Sequence, residues 1–396
     1  MRSTRPVPVL AAALLAPVAL SLAAAPAAAQ TLSEALAQAY ANHPLLLGAR
    51  AQLRNVDENV PQALAGWRPT VNVSVSAGGV DSHVRQYSRP TVSNGRIERQ
   101  LLSNQITLSQ PVFRGGRTVA GTRRAENQVL AQRARLFSQE QQVMSDSVNA
   151  FTSVILNQEL LRLRINNEQV LSEQLRATNE RFRVGEITRT DVAQAESRLA
   201  QARALRSQAE GDLQTSRAAY LRQIGTPPGQ LVAPQPLRPP VASAAEASLA
   251  AATNNPDVVA LLFDEAAARD FIAVQGSNLM PQASIQGQAF RFDNQTQPHT
   301  RITGGQVLGQ VSWQTQGGVE FSQVRQARQA ATVAQRQVED RRRNVAQAAT
   351  QAWEQLQSSK AQVVSQRAAI RASEIALDGV QREAIVGSRT TLEVLN

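Results

Sequence analysis

Across residues 115–182 the apolar positions fall at seven-residue spacing: Leu130, Phe137, Met144 and Phe151, with Val148 and Ile155 in the alternate positions. Leu161, Leu175 and Phe182 resume the spacing, and Glu168 breaks one step. A seven-residue apolar repeat keeps one seam of a helix facing a partner. The stretch is poor in Pro and Gly and packed with Ala, Gln, Arg and Glu. An unbroken helix of that span is about 100 Å long. No globular core is so wide, so this helix must stand among similar helices. It ends at Val184-Gly185, where Gly suits a C-cap. A tight turn over 186–190 precedes Asp191, and a return helix runs to Ile224 with Leu199 and Leu213 on its apolar seam.

Upstream the period changes from seven to two. Val71, Val73 and Val75 alternate with Asn72, Ser74 and Ser76, and Ile106 and Leu108 alternate with Thr107 and Ser109. The stretch between them, Gly78 to Gln100, is rich in Gly, Ser and Arg and reads as a loop. Period-two alternation marks a strand between two unlike environments. Lipid on one side and a wet lumen on the other would satisfy it, at about ten residues per tilted strand. A half-buried soluble strand carries the same pattern.

Self-comparison shows the whole arrangement written twice. Asn42-His43-Pro44 opens an amphipathic helix and Trp67-Arg68-Pro69 follows it; Asn254-Asn255-Pro256 and Leu279-Met280-Pro281 do the same later (256 − 44 and 281 − 69 are both 212). Gly115-Gly116, Ala150-Phe151 and Val184-Gly185 match Gly317-Gly318, Ala352-Trp353 and Val386-Gly387 at an offset of 202. Between the two offsets the copies differ by ten residues (212 − 202), where a variable loop would sit. Copy two repeats the strands, with Ala283, Ile285, Gly287 and Ala289 on one side and Ser284, Gln286 and Gln288 on the other. Val307, Gly309, Val311 and Trp313 then alternate with Gln310 and Ser312, Leu308 spoiling the pattern. Its long helix carries Val324, Ala331, Val338, Val345 and Ala352 at seven-residue spacing. The expected organisation is a signal peptide over 1–29, a first repeat over 30–225, a Pro-rich linker over 226–242 and a second repeat over 243–396. The second repeat lacks a counterpart of the C-terminal return helix, which predicts poor assembly of this chain unless the partner helix comes from elsewhere.

Composition narrows this picture. Arg2 and Arg5 precede an apolar stretch from Val9 to Leu22, and Ala27-Ala28-Ala29 fits a signal cleavage site, so the protein is exported. After residue 30 there is no apolar run long enough for a spanning helix. Cysteine is absent, which excludes disulfides, thiolate metal sites and an N-terminal lipid anchor on Cys. The net charge of +10 is almost all Arg spread along helices, without stacking aromatics or a nucleic-acid motif, so solvated helix faces explain it and nucleic acid is not expected as a partner. Arg341-Arg342-Arg343 reads as such a face.

Together these features resemble the TolC-type outer-membrane channel proteins. The stretches that carry the resemblance are GWRPTVNVSV (66–75), ITLSQPVFRGGRT (106–118), RFRVGEITRTDVAQAESRLAQAR (181–203), GGVEFSQVRQAR (317–328) and VGSRTTLEVLN (386–396), and the match covers residues 31–396. The fold it implies is an α+β membrane protein. Long antiparallel coiled-coil helices would accompany transmembrane strands contributed to a shared trimeric β-barrel, each chain of the homotrimer giving four strands. The function it implies is the exit duct of a type I secretion or multidrug efflux system, embedded in outer-membrane lipid and extending into the periplasm. Its partners would be a periplasmic adaptor and an inner-membrane transporter. The missing lipid-anchor Cys leans toward secretion. The competing class is a soluble periplasmic coiled-coil adaptor or scaffold.

The resemblance also implies a periplasmic gate, closed by polar and ionic contacts near the inter-helix turns. Carried over by motif, Thr190 and Asp191 fall on the first turn and Arg389 and Glu393 on the second. Arg389–Asp191 is the candidate gate contact, with Glu393 lining the entrance. Asn396 stands where an acidic residue is common, which departs from a full second acidic ring. Asp191 equally suits an ordinary helix-start cap. An exposed ion pair contributes only about 0–1 kcal/mol, so a gate needs several such contacts. No other chemistry competes. His43, His83 and His299 lie far apart, no nucleophile–base pair or carboxylate dyad stands out, and neither an enzyme nor a cofactor is expected. Trp67 and Trp313 sit at predicted strand ends, where a membrane interface or ordinary packing suits them.

Overall fold

A computed structural model describes residues 30–88, 91–295 and 299–385. The signal segment and residues 386–396, with Arg389 and Glu393, lie outside the described residues. The chain runs α1 (Leu32–Asn42), α2 (Pro44–Asp57), α3 (Asn59–Leu64), β1 (Thr70–Ser88), β2 (Thr91–Phe113), α4 (Arg117–Arg183) and α5 (Arg189–Ile224). It continues through α6 (Ala244–Asn254), α7 (Pro256–Gly276), β3 (Gln282–Asp293), β4 (Arg301–Ser312) and α8 (Val319–Ile385). A short 3-10 turn precedes each strand pair, at Ala65–Trp67 and Ser277–Leu279.

Local signals set the helix starts. Thr31 caps α1 in a reciprocal box: the Glu34 amide donates to Thr31 Oγ1 (3.3 Å), and the Thr31 amide donates to Glu34 Oε2 (3.1 Å). His43 starts α2 with Nδ1 accepting from the Leu45 amide, and Asn255 starts α7 with its Oδ1 accepting from the Asp257 amide. Pro44 and Pro256 follow in the first turn, where a missing N–H costs nothing. Helices α1 and α6 lie just before these signals, inside the expected repeats, and no helix was read there from the sequence.

The long helix α4 has different neighbours along its length. Its N-terminal part packs against α2 and α7, and its C-terminal part pairs with the return helix α5 and meets α1. The tightest core forms where α1, α4 and α5 meet, from Ala35, Ala39, Phe151, Val154, Leu213, Tyr220 and Ile224. Leu199 and Leu213 of α5 are buried as the spacing predicts, and so are Ala331, Val338 and Val345 of α8. The seam of α4 holds only in part. Phe151 is fully buried, but Leu130 and Phe137 are 37% and 55% exposed, and the buried stripe there is Ala120, Ala125, Val129 and Ala131. Small side chains let α7 approach closely, so the larger residues of the heptad turn away. Glu168, the break in the repeat, is a tie: it accepts from Arg203 Nε (3.3 Å) and Arg206 Nη1 (3.1 Å) across the α4–α5 hairpin.

Helix α7 links the two halves of the chain through polar contacts at roughly helical spacing. Asp264 pairs with Arg135, Asp270 accepts from Asn127 Nδ2 (2.8 Å), and Arg117 donates to Asn278 (3.3 Å), all on α4 or at its start. Asp257 pairs with Arg341 of α8, so Arg341 is a bridging residue rather than part of a solvated face; Arg342 and Arg343 are exposed.

The four strands form one antiparallel sheet in the order β1-β2-β3-β4. The stretch Gly78–Gln100 is not a loop. It continues both strands as a hairpin in unbroken register, from Gly78↔Leu101 to Ser88↔Thr91, beyond the last β2–β3 pair at Leu102↔Asp293. The extension is about 35 Å long at the rise of a strand. Backbone pairing satisfies its peptide groups whatever its Gly and Ser content, and Arg96 bridges Asp81 (2.7 Å) and Glu98 (2.9 Å), which face each other across the strands. At the other end β2 is bulged between Pro111 and Phe113, where Pro has no amide to give the ladder.

Each strand pair hands over to a long helix through two left-handed glycines: Gly115 and Gly116 before α4, Gly317 and Gly318 before α8. Gly115 is also wedged, since a Cβ there would lie 2.7 Å from Met280 Cβ and from the Ser277 carbonyl, whereas nothing lies near Gly116. Both substitutions to Ala pay about 1–2 kcal/mol for the left-handed backbone, and Gly115→Ala must also displace the 3-10 turn. The expected outcome is a larger loss of stability for Gly115→Ala than for Gly116→Ala, measured by urea unfolding in detergent with tryptophan fluorescence.

Candidate functional site

Directly opposed residues of an antiparallel sheet share a face, so the register sorts the sheet into two. One face carries Val71, Val73 and Val75 on β1, opposite Leu108 and Ile106 on β2, Gly287 and Ala289 on β3, and Val307 and Gly305 on β4. The valines of β1 are nearly two-thirds exposed, and Val307 and Val311 about three-quarters, so a broad apolar surface has no cover among the described residues. The other face carries Asn72, Thr107, Gln288 and Gln306 in one row, with Ser74, Ser76, Gln105, Ser103, Gln286 and Gln310 around it. Side-chain amides pair across it: Gln286 and Gln310 at 2.7 Å, and Gln288 with Gln306.

Ionisable groups follow the same division. Asp81, Arg96, Glu98, Arg291, Asp293 and Arg301 share the register of the apolar face at its hairpin end, where Arg291 stands in the row of Val75 and Asn104, and Asp293 and Arg301 in that of Ala77 and Leu102; Arg99 lies on the other face. Asp293 accepts from Arg301 Nε (2.6 Å) and Arg291 Nε (3.1 Å). Trp67 and Trp313 lie at the opposite end of the sheet, where Trp313 donates from Nε1 to the Leu279 carbonyl (3.3 Å).

At the far tip of the α4–α5 hairpin, Val184, Gly185 and Glu186 are exposed, and Gly185 takes the left-handed conformation. Thr188 is the N-cap of α5. Asp191 Oδ2 accepts from the Thr188 amide (2.9 Å) and from the Thr188 hydroxyl (2.8 Å). These bonds, with Arg181 nearby, hold the Asp191 carboxyl below its ordinary range. Across the turn Arg181 Nη2 meets Glu186 Oε1 at 2.5 Å, which lowers the Glu186 carboxyl and raises the guanidinium. Thr190 is exposed in the first turn of α5 beside this network. Thr190 and Asp191, consecutive in the chain, both lie at the start of α5, and Asp191 takes the capping role its position allows. Arg389 and Glu393 lie outside the described residues, so their approach to Asp191 stays an expectation. Arg181 and Glu186 are the residues that sequence reasoning missed. Their signal was an Arg and a Glu five apart flanking Val184-Gly185, which a turn brings together.

Comparison with known proteins decides the family. The model of the "Outer membrane efflux protein" family matches residues 35–226. The chain is 33% identical over 372 residues to the outer membrane efflux protein BepC of Brucella suis biovar 1, covering 93% of this chain and 78% of that protein. The chain belongs to the outer membrane efflux protein family. It is also 23% identical to the outer membrane protein TolC of Vibrio cholerae, over 93% of this chain and 84% of the relative. A membrane protein of Pseudomonas aeruginosa shares the fold at a TM-score of 0.78 and 16% identity, over 92% of this chain and 86% of the other. As a family member the protein is an outer-membrane channel for efflux or secretion that extends into the periplasm, and a soluble adaptor is not favoured.

A depressed carboxyl stabilises the folded form above its unfolded value and ceases to do so as pH falls through its folded value. The Asp191 and Glu186 bonds therefore persist at pH values where an unpaired Asp or Glu has begun to protonate. NMR titration of the Asp191 carboxyl is expected to give a midpoint below that of a free Asp. Thr188→Val should move the midpoint upward, and Arg181→Gln should move it by less.

Proposed function

We propose that three copies of this outer efflux channel protein build one passive duct, each giving four strands to a twelve-stranded barrel and its long helices to a tunnel across the periplasm. One observation carries this: among the described residues the sheet has two open edges, β1 and β4, and a bare apolar face. In lipid every backbone N–H and C=O must be satisfied within protein, so an open-edged sheet cannot stay open. Four strands are too few to close with their apolar side outward. Pairing β4 of one copy with β1 of the next removes both edges at once, and three copies is the number the TolC-type resemblance implies. The polar face then lines the lumen, and the charges beyond the apolar band stand at the outer headgroup level.

We read residues 30–225 and 243–396 as two copies of one unit joined by the linker 226–242. In both, a helix with Pro in its first turn, a 3-10 turn, two strands and a left-handed Gly pair lead into a long helix. The turn at 184–191 is the tip of the tunnel. Its capped, ion-paired geometry supports a gate in which Arg181 and Glu186 stiffen the turn while Thr190 and Asp191 present polar groups toward Arg389 and Glu393. A periplasmic adaptor and an inner-membrane transporter would complete the route. Similarity to an efflux protein at 33% identity favours efflux over type I secretion.

Purified protein, with a partner helix for α8 supplied, is expected to conduct in a planar bilayer and to run as a trimer on an unheated gel; release as a soluble monomer by osmotic shock would sink the reading. The wall should also respond by face. Val307→Arg, on the apolar side, should cost about 2–4 kcal/mol if its site lies at the bilayer midplane. Gln306→Arg, its neighbour on the polar side, should assemble nearly normally. Trimer yield in the outer membrane and urea unfolding from liposomes compare the two.

A further inference from the structure

The polar face of the sheet carries one aromatic pair. Phe290 and Phe292 are two apart on β3 and share the register of Gln288 and Gln286, with ring centroids 4.8 Å apart and planes 17° apart. Phe290 lies across Gly304, the residue directly opposite on β4, where an added Cβ would fall 2.8 Å from its Cζ. A ring laid over a bare glycine supports a strand at the edge of a sheet, which accounts for Phe290. It does not account for the second ring, since Phe292 faces Ile302, which already has a side chain.

The surroundings of the pair specify what it could hold. Its row neighbours on β1 and β2 are Ser74, Ser76, Gln105 and Ser103, all neutral hydrogen-bonding groups. Among the described residues the one ionisable side chain on this face of the sheet is Arg99, and its guanidinium is bonded to the Gln295 carbonyl. A ring face is electronegative and attracts a cation, and a second flat ring adds stacking. An organic cation with a planar aromatic body therefore meets two stacked rings and amide and hydroxyl oxygens for its polar edge, while the positive charge of Arg99 lies four residues along β2 from Ser103, the partner of Phe292. Beside the rings themselves the row neighbours are neutral, so an anion gains no ion pair there.

We propose that Phe290 and Phe292 form a docking site on the luminal wall for planar aromatic cations in transit. The inference rests on the duct reading above, which makes this face the lumen and places six such rings, two from each of three copies, around the passage. The site is a transient one: stacking lengthens the stay of a passing solute without a pocket to trap it.

Single-channel recording from the trimer in a planar bilayer tests this, with N-methylacridinium and the aliphatic cation tetrabutylammonium added in turn from the extracellular side. The expected result is longer current blocks by N-methylacridinium. In the double variant Phe290→Leu, Phe292→Leu they shorten about tenfold, while conductance and tetrabutylammonium block stay unchanged. Leucine keeps apolar bulk over Gly304, so the sheet is expected to survive, and the unchanged conductance checks it. Phe292→Tyr should retain the long blocks. Equal block by the two cations in the original protein, or undiminished acridinium block in the double variant, overturns the proposal while leaving the duct intact. Absence of any conductance overturns the duct and this site together.

Discussion

A strand that enters hydrocarbon must find a partner for every backbone amide and carbonyl, and in the proposed duct the described residues bring only four strands to that task. Much of its design follows from that shortage. A sheet left open at β1 and β4 is soluble in neither phase: its edges need partners and its apolar face needs lipid. In the proposed duct, assembly and membrane insertion are thus two sides of one requirement, and a single copy can meet neither alone. In that duct the polar face, neutral but for Arg99, is what remains for the lumen once lipid has claimed the other.

The helices answer a different problem, the bridging of a long distance without a thick core. Alanines carry much of the contact between α4 and its neighbours, so the helices approach closely and bury little area per residue. Specific polar ties then fix alignment. Glu168 locks the α4–α5 hairpin, and the aspartates of α7 set α4 and α8 against one another. Partly exposed pairs of this kind contribute modestly one by one, but each demands its partner at one height along the helix. They specify register more than they supply stability.

The long helices, their turn and the alternating strands were legible in the sequence because each has a strong period and explicit stop signals: Val184-Gly185, Gly115-Gly116, and Pro in the first turn of α2 and α7. The seam of α4 was half legible. Ala125 and Ala131 carry the buried stripe, and small residues leave almost no mark in an apolar pattern beside Leu130 and Phe137. Residues 78–100 were misread because composition was taken for conformation. A hairpin that satisfies its own peptides tolerates Gly and Ser, and the Asp81–Arg96–Glu98 bridge depends on cross-strand register that no linear pattern displays. At the turn, Thr188 and Asp191 follow a readable capping pattern, whereas the Arg181–Glu186 pair exists only once the chain has reversed.

The wedged glycine at the head of α4 has a mechanical consequence. A rigid rod of about 100 Å anchored at one end sweeps its tip by roughly 2 Å for each degree of rotation at the anchor. Gly115 alone would permit such swinging, but Met280 and the Ser277 carbonyl hold it from the other half of the chain. Gly116, which follows with nothing near it, is no such seat, so the packing of α2, α3 and α7 on α4 has to oppose rotation of the rod at its head.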